Sequence, residues 1–230
     1  MLKFLSPYYF GKLSEIVIPI LSVSTFLTAF IGLYFGLIAS PPDYQQGEFV
    51  RIMYVHVPAS WMALSIYVFI AGCSFSCLVW KTTMSYLLAV AASYIGATFT
   101  LISLVTGSLW GKPIWGVWWV WDARLTSMLI LFLLYLSYII IINSADNIRK
   151  AQNPASIIAI IGLINIPIVK FSVNLWYSLH QPASVLRLGS PTIHSSMLKP
   201  LIIMFVSFIL YFLLVLILRT SILINKIKSQ

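Results

Sequence analysis

Charge is scarce in this chain. Of 230 residues, 14 are Lys or Arg and 5 are Asp or Glu, so 8% are charged while 60% are hydrophobic. Soluble domains carry about 25% charged and about 45–50% apolar residues, and a mean hydropathy of +0.98 excludes a water-soluble globule. Cysteine is nearly absent. Cys73 and Cys77 stand four apart in one apolar run and share a helix face, a spacing that fits neither a Cys-x-x-Cys redox pair nor a covalent cofactor-attachment signature, and they read as small packing residues. A phosphate loop is missing too: in "GSLWGKP", Gly107 to Pro113, three residues separate the glycines where four are needed, and Pro113 stands where Ser or Thr would hold magnesium. No linker or fixed-period repeat divides the chain, and no nucleophile is paired with a base. The net charge of +9 needs no nucleic acid, because flanking cations on membrane anchors account for most of it.

What is present is apolar length. Runs of about 20 residues suffice to cross a hydrocarbon core about 30 Å thick. Six such runs occur, at 16–40, 58–80, 84–106, 125–142, 155–173 and 200–218. Backbone groups in lipid must be satisfied within each segment, so the expected fold is an all-α integral membrane protein, one domain over 1–230 with six transmembrane helices. The basic start passes into an apolar run too long for a signal-peptide core and is expected to remain as the first span. Gly32 and Gly36, four apart in that span, allow close helix approach within the bundle or against another subunit.

Six spans put both termini on one side. That side receives Lys3, Lys12, Lys81, Arg149, Lys150, Arg219, Lys226 and Lys228, against Arg51, Lys112, Arg124, Lys170, Arg187 and Lys199 opposite. The positive-inside bias assigns the termini to the cytoplasm or matrix. The outer connections, 41–57, 107–124 and 174–199, then collect all three histidines and most of the tryptophan.

"WGKPIWGVWWVWDARLT", residues 110–126, places five of the eight tryptophans, Trp110, Trp115, Trp118, Trp119 and Trp121, in a loop spanning 107–124 that ends in Asp122 and Arg124. One or two such rings would be an interfacial anchor, with Asp122 capping the fourth span and Arg124 snorkelling to headgroups. Five exceed that need. If 115–122 is helical, Trp115, Trp118 or Trp119, and Asp122 share one face, a flat platform with a polar edge. His56 in "RIMYVHVPASW" precedes Pro58, a first-turn residue for the second span, and His180 in "NLWYSLHQPAS" follows the fifth. Both fit imidazoles approaching one metal from opposite sides. His194, in "SPTIHSSMLKP", reads as a hydrogen-bonded boundary residue. No acidic or thiol cluster accompanies these histidines, so a zinc-type centre is excluded. A porphyrin iron needs only the two imidazoles, apolar flat surface, and cations for its carboxylates, which Arg51 and Arg124 can clamp.

The tryptophan-rich stretch resembles the Trp-Trp-Asp-bearing segment of the haem-handling protein family of cytochrome c maturation, most closely its haem exporter C members. "RIMYVHVPASW" and "FSVNLWYSLHQPAS" look like that family's first and third outer segments, in order, so the resemblance covers nearly the whole chain. It implies presentation of haem b, as transported ligand, on the outer face of a mitochondrial inner membrane or bacterial cytoplasmic membrane. It implies axial ligation by His56 and His180, with the tryptophan segment cradling the porphyrin, Asp122 and Arg124 at the family's acidic and basic positions, and Arg51 as the basic residue before the first ligand. Implied partners are the haem chaperone known as cytochrome c maturation protein E, a small single-span subunit (maturation protein D), and the ATP-binding transporter subunits (maturation proteins A and B), in the lipid bilayer. Where many relatives read acidic-Trp-Trp before the second histidine, this chain has Asn174, Leu175 and Trp176.

Two rival functions fit less of the sequence. A cytochrome c haem synthase carries a similar loop, but on a longer chain with histidines inside the bilayer, and no span here has a central histidine. A small-solute permease would show broken spans and midplane polar groups; these spans have few, and the unusual residues gather at one rim.

Overall fold

The computed structural model describes residues 7–145, 148–187 and 189–228. Lys3 and the side chains of Arg149 and Lys228, three of the cations expected on the terminal side, lie outside the described residues. Seven α-helices follow in order: α1 (Pro7–Tyr34), α2 (Met53–Trp80), α3 (Thr83–Trp115), α4 (Ala123–Ser144), α5 (Ile148–Gly162), α6 (Asn165–Leu175) and α7 (Ser195–Lys228). A π-helical turn, Phe35–Ala39, ends α1, and a 3-10 turn, Glu48–Ile52, leads into α2. Six helical stretches are long and apolar enough to cross a membrane, with α5 and α6 together forming the fifth. The protein is an all-α integral membrane protein with six spans.

Helices α2 and α3 form the centre. Tyr67, Tyr86, Tyr135, Ile66 and Leu131 are fully buried, and alanines at 59, 63, 89, 91 and 92 let the backbones approach. The Tyr135 hydroxyl reaches across to donate to the Ala63 carbonyl at 2.7 Å, so this tyrosine enters the apolar core with its polar tip paired. Helix α1 is peripheral and packs chiefly on α7. A Cβ on Gly32 would stand 2.6 Å from Met204 Sδ of α7, and one on Gly36 3.0 Å from Tyr54 Cβ of α2. The two small residues therefore serve packing within the bundle. Phe10, Met84 and Ile224 pack together, so the described ends of α1 and α7 share one end of the bundle with the α2–α3 turn.

Three expectations change. Helix α3 runs to Trp115 instead of stopping at 106. At 33 residues it is about 50 Å long at 1.5 Å per residue, more than the hydrocarbon layer of about 30 Å requires, so its last turns project beyond the apolar run that hydropathy detects. Residues 115–122 are not a helix: Gly116, at φ 79°, donates to the Lys112 carbonyl and ends α3 in a left-handed cap, and irregular chain follows to Asp122. Helix α2 begins at Met53 and Pro58 lies inside it, so His56 is carried by the helix rather than by the chain before it.

The fifth span is also broken, contrary to the reading of unbroken spans. Between α5 and α6 the amides of Leu163, Ile164 and Ile166 bond three residues back, to Ile160, Ile161 and Leu163, the tight pattern of a 3-10 turn. Gly162 ends α5, and Pro167 has no amide to continue the ladder. Asn165 at the break donates to the Ser127 carbonyl of α4 at 2.9 Å, which fixes the turn against its neighbour.

Candidate functional site

At the end of the bundle away from the termini, a cavity of about 420 Å³ is walled by α2, α3, α4, α6, α7 and the segment 179–186. That volume lies within the range of about 300–1,000 Å³ usual for small-molecule and cofactor pockets. Both His56 and His180 line it, with Trp110, Trp115, Trp119 and Arg124.

His56 is held by α3. Its Nδ1 lies 3.1 Å from Thr106 Oγ1, and the Thr106 hydroxyl donates its only proton to the Ile102 carbonyl at 2.6 Å. The threonine oxygen is then the acceptor, so Nδ1 of His56 carries the proton and Nε2 keeps a free lone pair. Gly107 gives the ring its place: a Cβ there would stand 2.8 Å from His56 Cε1. Trp110 meets the imidazole edge-on at 5.8 Å between centroids. Its indole N–H donates to Gln46 Oε1 at 2.9 Å, and Gln46 is set in turn by a turn in which Asp43 Oδ1 accepts from the amides of Gln45 and Gln46.

His180 lies outside the helices and is strapped to the start of α4. Asp122 is the N-cap of α4, with Oδ1 accepting from the Leu125 amide at 2.7 Å. Its Oδ2 accepts from the Ser178 hydroxyl, whose oxygen accepts the His180 amide at 3.1 Å. The same Oδ2 stands 3.6 Å from His180 Nδ1. Nδ1 is buried and makes no hydrogen bond at that distance, but the carboxylate facing it favours the tautomer protonated at Nδ1 over the one protonated at Nε2. Burial and the nearby Arg124 guanidinium push the His180 imidazole down to about 4, against the opposing pull of Asp122, so the ring is neutral at pH 7. Trp115 packs edge-on against it at 4.9 Å.

The remaining residues of the expected site divide. Trp119 lines the cavity, and its indole N–H is buried without a partner among the described residues. Trp118 and Trp121 are 55% and 75% exposed and do not line it. Trp121 contacts Trp119 edge-on, and Lys112 sits over the Trp118 ring. Arg124 makes only long contacts, 3.4 Å to Ser172 Oγ and 3.5 Å to the Lys170 carbonyl, and has no carboxylate within 4 Å among the described residues, so Asp122 is directed to His180 and not to Arg124. Arg51 is paired with Glu48 and donates to Ser40 Oγ at 3.1 Å; it is not part of the cavity wall. His194 bonds Ser196 at the start of α7, away from the cavity. The residues that sequence reasoning missed are Gln46, Thr106, Gly107 and Ser178. Ser178 had a local signal, a hydroxyl two residues before a histidine, whereas Thr106 and Gln46 become partners only through the fold.

The family model described as "Heme exporter protein C" matches residues 1–230. The chain is 42% identical to the heme exporter protein C of Bradyrhizobium diazoefficiens over 97% of this chain and 86% of the relative. It is 40% identical to that of Haemophilus influenzae over 91% and 87% of the two chains. A cytochrome c biosynthesis ccmC-like mitochondrial protein of Marchantia polymorpha is 47% identical over 80% of this chain and 77% of its own. A match along the full length, at this identity, goes with a bundle whose two histidines and tryptophan-bearing helix end converge on one cavity: the chain belongs to the heme exporter protein C family.

Proposed function

We propose that this protein binds haem in the cavity between His56 and His180, at the outer face of a bacterial cytoplasmic or mitochondrial inner membrane, and delivers it to the haem chaperone of cytochrome c maturation. The observation that carries the reading is the pair of imidazoles on one cavity: each turns Nδ1 toward a fixed oxygen, Thr106 Oγ1 at 3.1 Å for His56 and Asp122 Oδ2 at 3.6 Å for His180, an arrangement that favours an Nε2 lone pair for iron. The wall suits the cargo. Trp110, Trp115 and Trp119 supply flat apolar surface, and Arg124 together with the unpartnered Trp119 N–H offers donors to a propionate. Bound haem supplies the iron that the two imidazoles ligate. The chain's own part is to orient those ligands, exclude water and hold the carboxylates. Trp118 and Trp121, exposed beside the cavity, suit contact with the acceptor. Membership of the family supports haem handling in cytochrome c biogenesis beside the ATP-binding transporter subunits and the small single-span subunit, with the termini in the cytoplasm or matrix, and a binding and delivery role rather than catalysis.

The test is the haem absorption spectrum of the purified protein with His56→Ala, His180→Ala and His194→Ala. The first two are expected to lose the six-coordinate spectrum and most of the haem, while the third matches the parent. Full haem load in both cavity variants would refute the ligand pair.

A further inference from the structure

The cavity does not end at the histidines. On α2 its wall continues from His56 through Ser60, Trp61 and Leu64 to Ser65, nine residues or about 13 Å further along the helix axis and so toward the middle of the bilayer. Ser65 also belongs to the outward stripe of α2, with Val68, Gly72, Phe75 and Val79, residues that recur at helical spacing and face lipid. Ser65 therefore joins the cavity wall to the outward stripe of α2, at the edge of the bundle.

The broken fifth span explains the opening. Helix α5 packs on both α2 and α4, whereas α6 packs on α4 and has no comparable contact with α2. The last close approach of α5 to α2 is at Gly162, where a Cβ would stand 2.0 Å from the Tyr67 hydroxyl. Immediately beyond it the chain turns at Leu163 and Ile164 and continues as α6, which packs on α4. The result is a cleft with Leu64 and Ser65 of α2 on one side and Val169 and Lys170 of α6 on the other, bounded by Trp61 edge-on to Phe205 of α7 at 5.0 Å; Tyr67 and Gly162 lie buried beneath it, where α5 still meets α2.

Building on the haem-binding reading, we infer that the cleft between α2 and α6 is a lateral portal through which haem dissolved in the bilayer reaches His56 and His180. The chemistry is graded along it. Leu64, Met128, Trp61 and Phe205 line the deep part, and the histidines, Arg124 and Gln46 lie at the rim. An amphipathic planar ligand whose apolar edge leads into lipid and whose carboxylates stay at the interface matches that order. Lys170 on the α6 lip donates to the Leu186 carbonyl at 3.0 Å and gives the portal a cation at the height where propionates would pass.

The experiment uses the full chain in lipid vesicles, with haem supplied either within the bilayer or from albumin in the outer solution, and follows growth of the bis-imidazole absorption band. Ser65→Trp fills the portal from an exposed position, and Val68→Trp places the same ring one turn lower, off the cavity. Ser65→Trp is expected to slow loading from the bilayer by about tenfold or more, within the range over which on-rates vary among variants of one site. Because Ser65 also lines the cavity, loading from albumin is the internal comparison: it should be slowed far less than loading from the bilayer, and Val68→Trp should behave as the parent. Equal bilayer loading by Ser65→Trp and the parent, or equal slowing from both sources, would overturn the portal while leaving the binding site standing. A parent that loads from neither source would overturn the binding reading and the portal with it.

Discussion

His56 and His180 face the same cavity from two unlike constructions. His56 stands on the first turn of a long helix, wedged against Gly107 and bonded to Thr106 of the neighbouring helix, so its position follows from helix packing. His180 sits in irregular chain and is placed by a short relay, from Asp122 through Ser178 to its own amide. The difference teaches where each half of the site can be broken. A helix-borne ligand is lost to steric change, because interiors are close-packed and do not absorb added volume. A strapped ligand is lost to removal of its hydrogen bonds.

The largest effect is expected from volume added to the rigid half. Gly107→Leu drives side-chain atoms into the space of the imidazole and should abolish the six-coordinate haem spectrum while leaving the protein inserted and His180 in place. Retention of the parental spectrum would show that His56 is free to move and that the contrast is false. Next in size is the strap. Asp122→Asn keeps an oxygen for the Leu125 amide but removes the charge facing His180, and Ser178→Ala removes the link between them; each should weaken haem retention about 10–100-fold, as for other partners of metal ligands. Competition of the loaded protein against apomyoglobin reads this directly. An unchanged transfer rate in both variants would make His180 as rigid as His56.

The smallest effect concerns pH. On the proposed reading His180 ligates iron as the neutral ring, and its burial beside Arg124 holds it neutral down to about 4. Proton competition at His180 is therefore absent across the window where an ordinary imidazole, near 6.5, would already be charged. The unfolded chain binds that proton first, so between about 6.5 and 4 the folded state loses stability as pH falls, and it loses no more from this group below that. The absorption band should hold steady from roughly pH 8 to 5 and fail as pH drops through about 4. Loss of the band centred near 6.5 would mean that the His180 side of the cavity is open to water.

The six spans were legible in the sequence because lipid demands length and apolarity, and the placing of His56 and His180 on one face because imidazoles are rare enough here to be informative; the fold brings both to one cavity wall. Helix ends were not legible. Hydropathy reports where the bilayer ends, while α3 carries Trp110 and Trp115 past that level and stops only where Gly116 takes a left-handed conformation. The tryptophan loop is consequently two structures, a helix end whose rings face the cavity and an irregular strand in which Trp119 turns in and Trp118 and Trp121 turn out. The break in the fifth span had a local sign, Gly162 followed by Pro167, but what it opens depends on where α2 lies. Arg51 looked equivalent to Arg124 by charge and position. Its pairing with Glu48, three residues earlier, was the local reason for it to stay outside the cavity.

Asp122 uses its two carboxylate oxygens for different clients, one for the first turn of α4 and the other for the His180 strap. In genetic terms it is pleiotropic by construction. A screen for loss of cytochrome c would recover Asp122→Ala for two reasons at once, a frayed helix costing about 1 kcal/mol and a loosened ligand, and Asp122→Asn for the second reason alone. The two alleles of one codon would thus separate a defect in building the protein from a defect in holding its cargo.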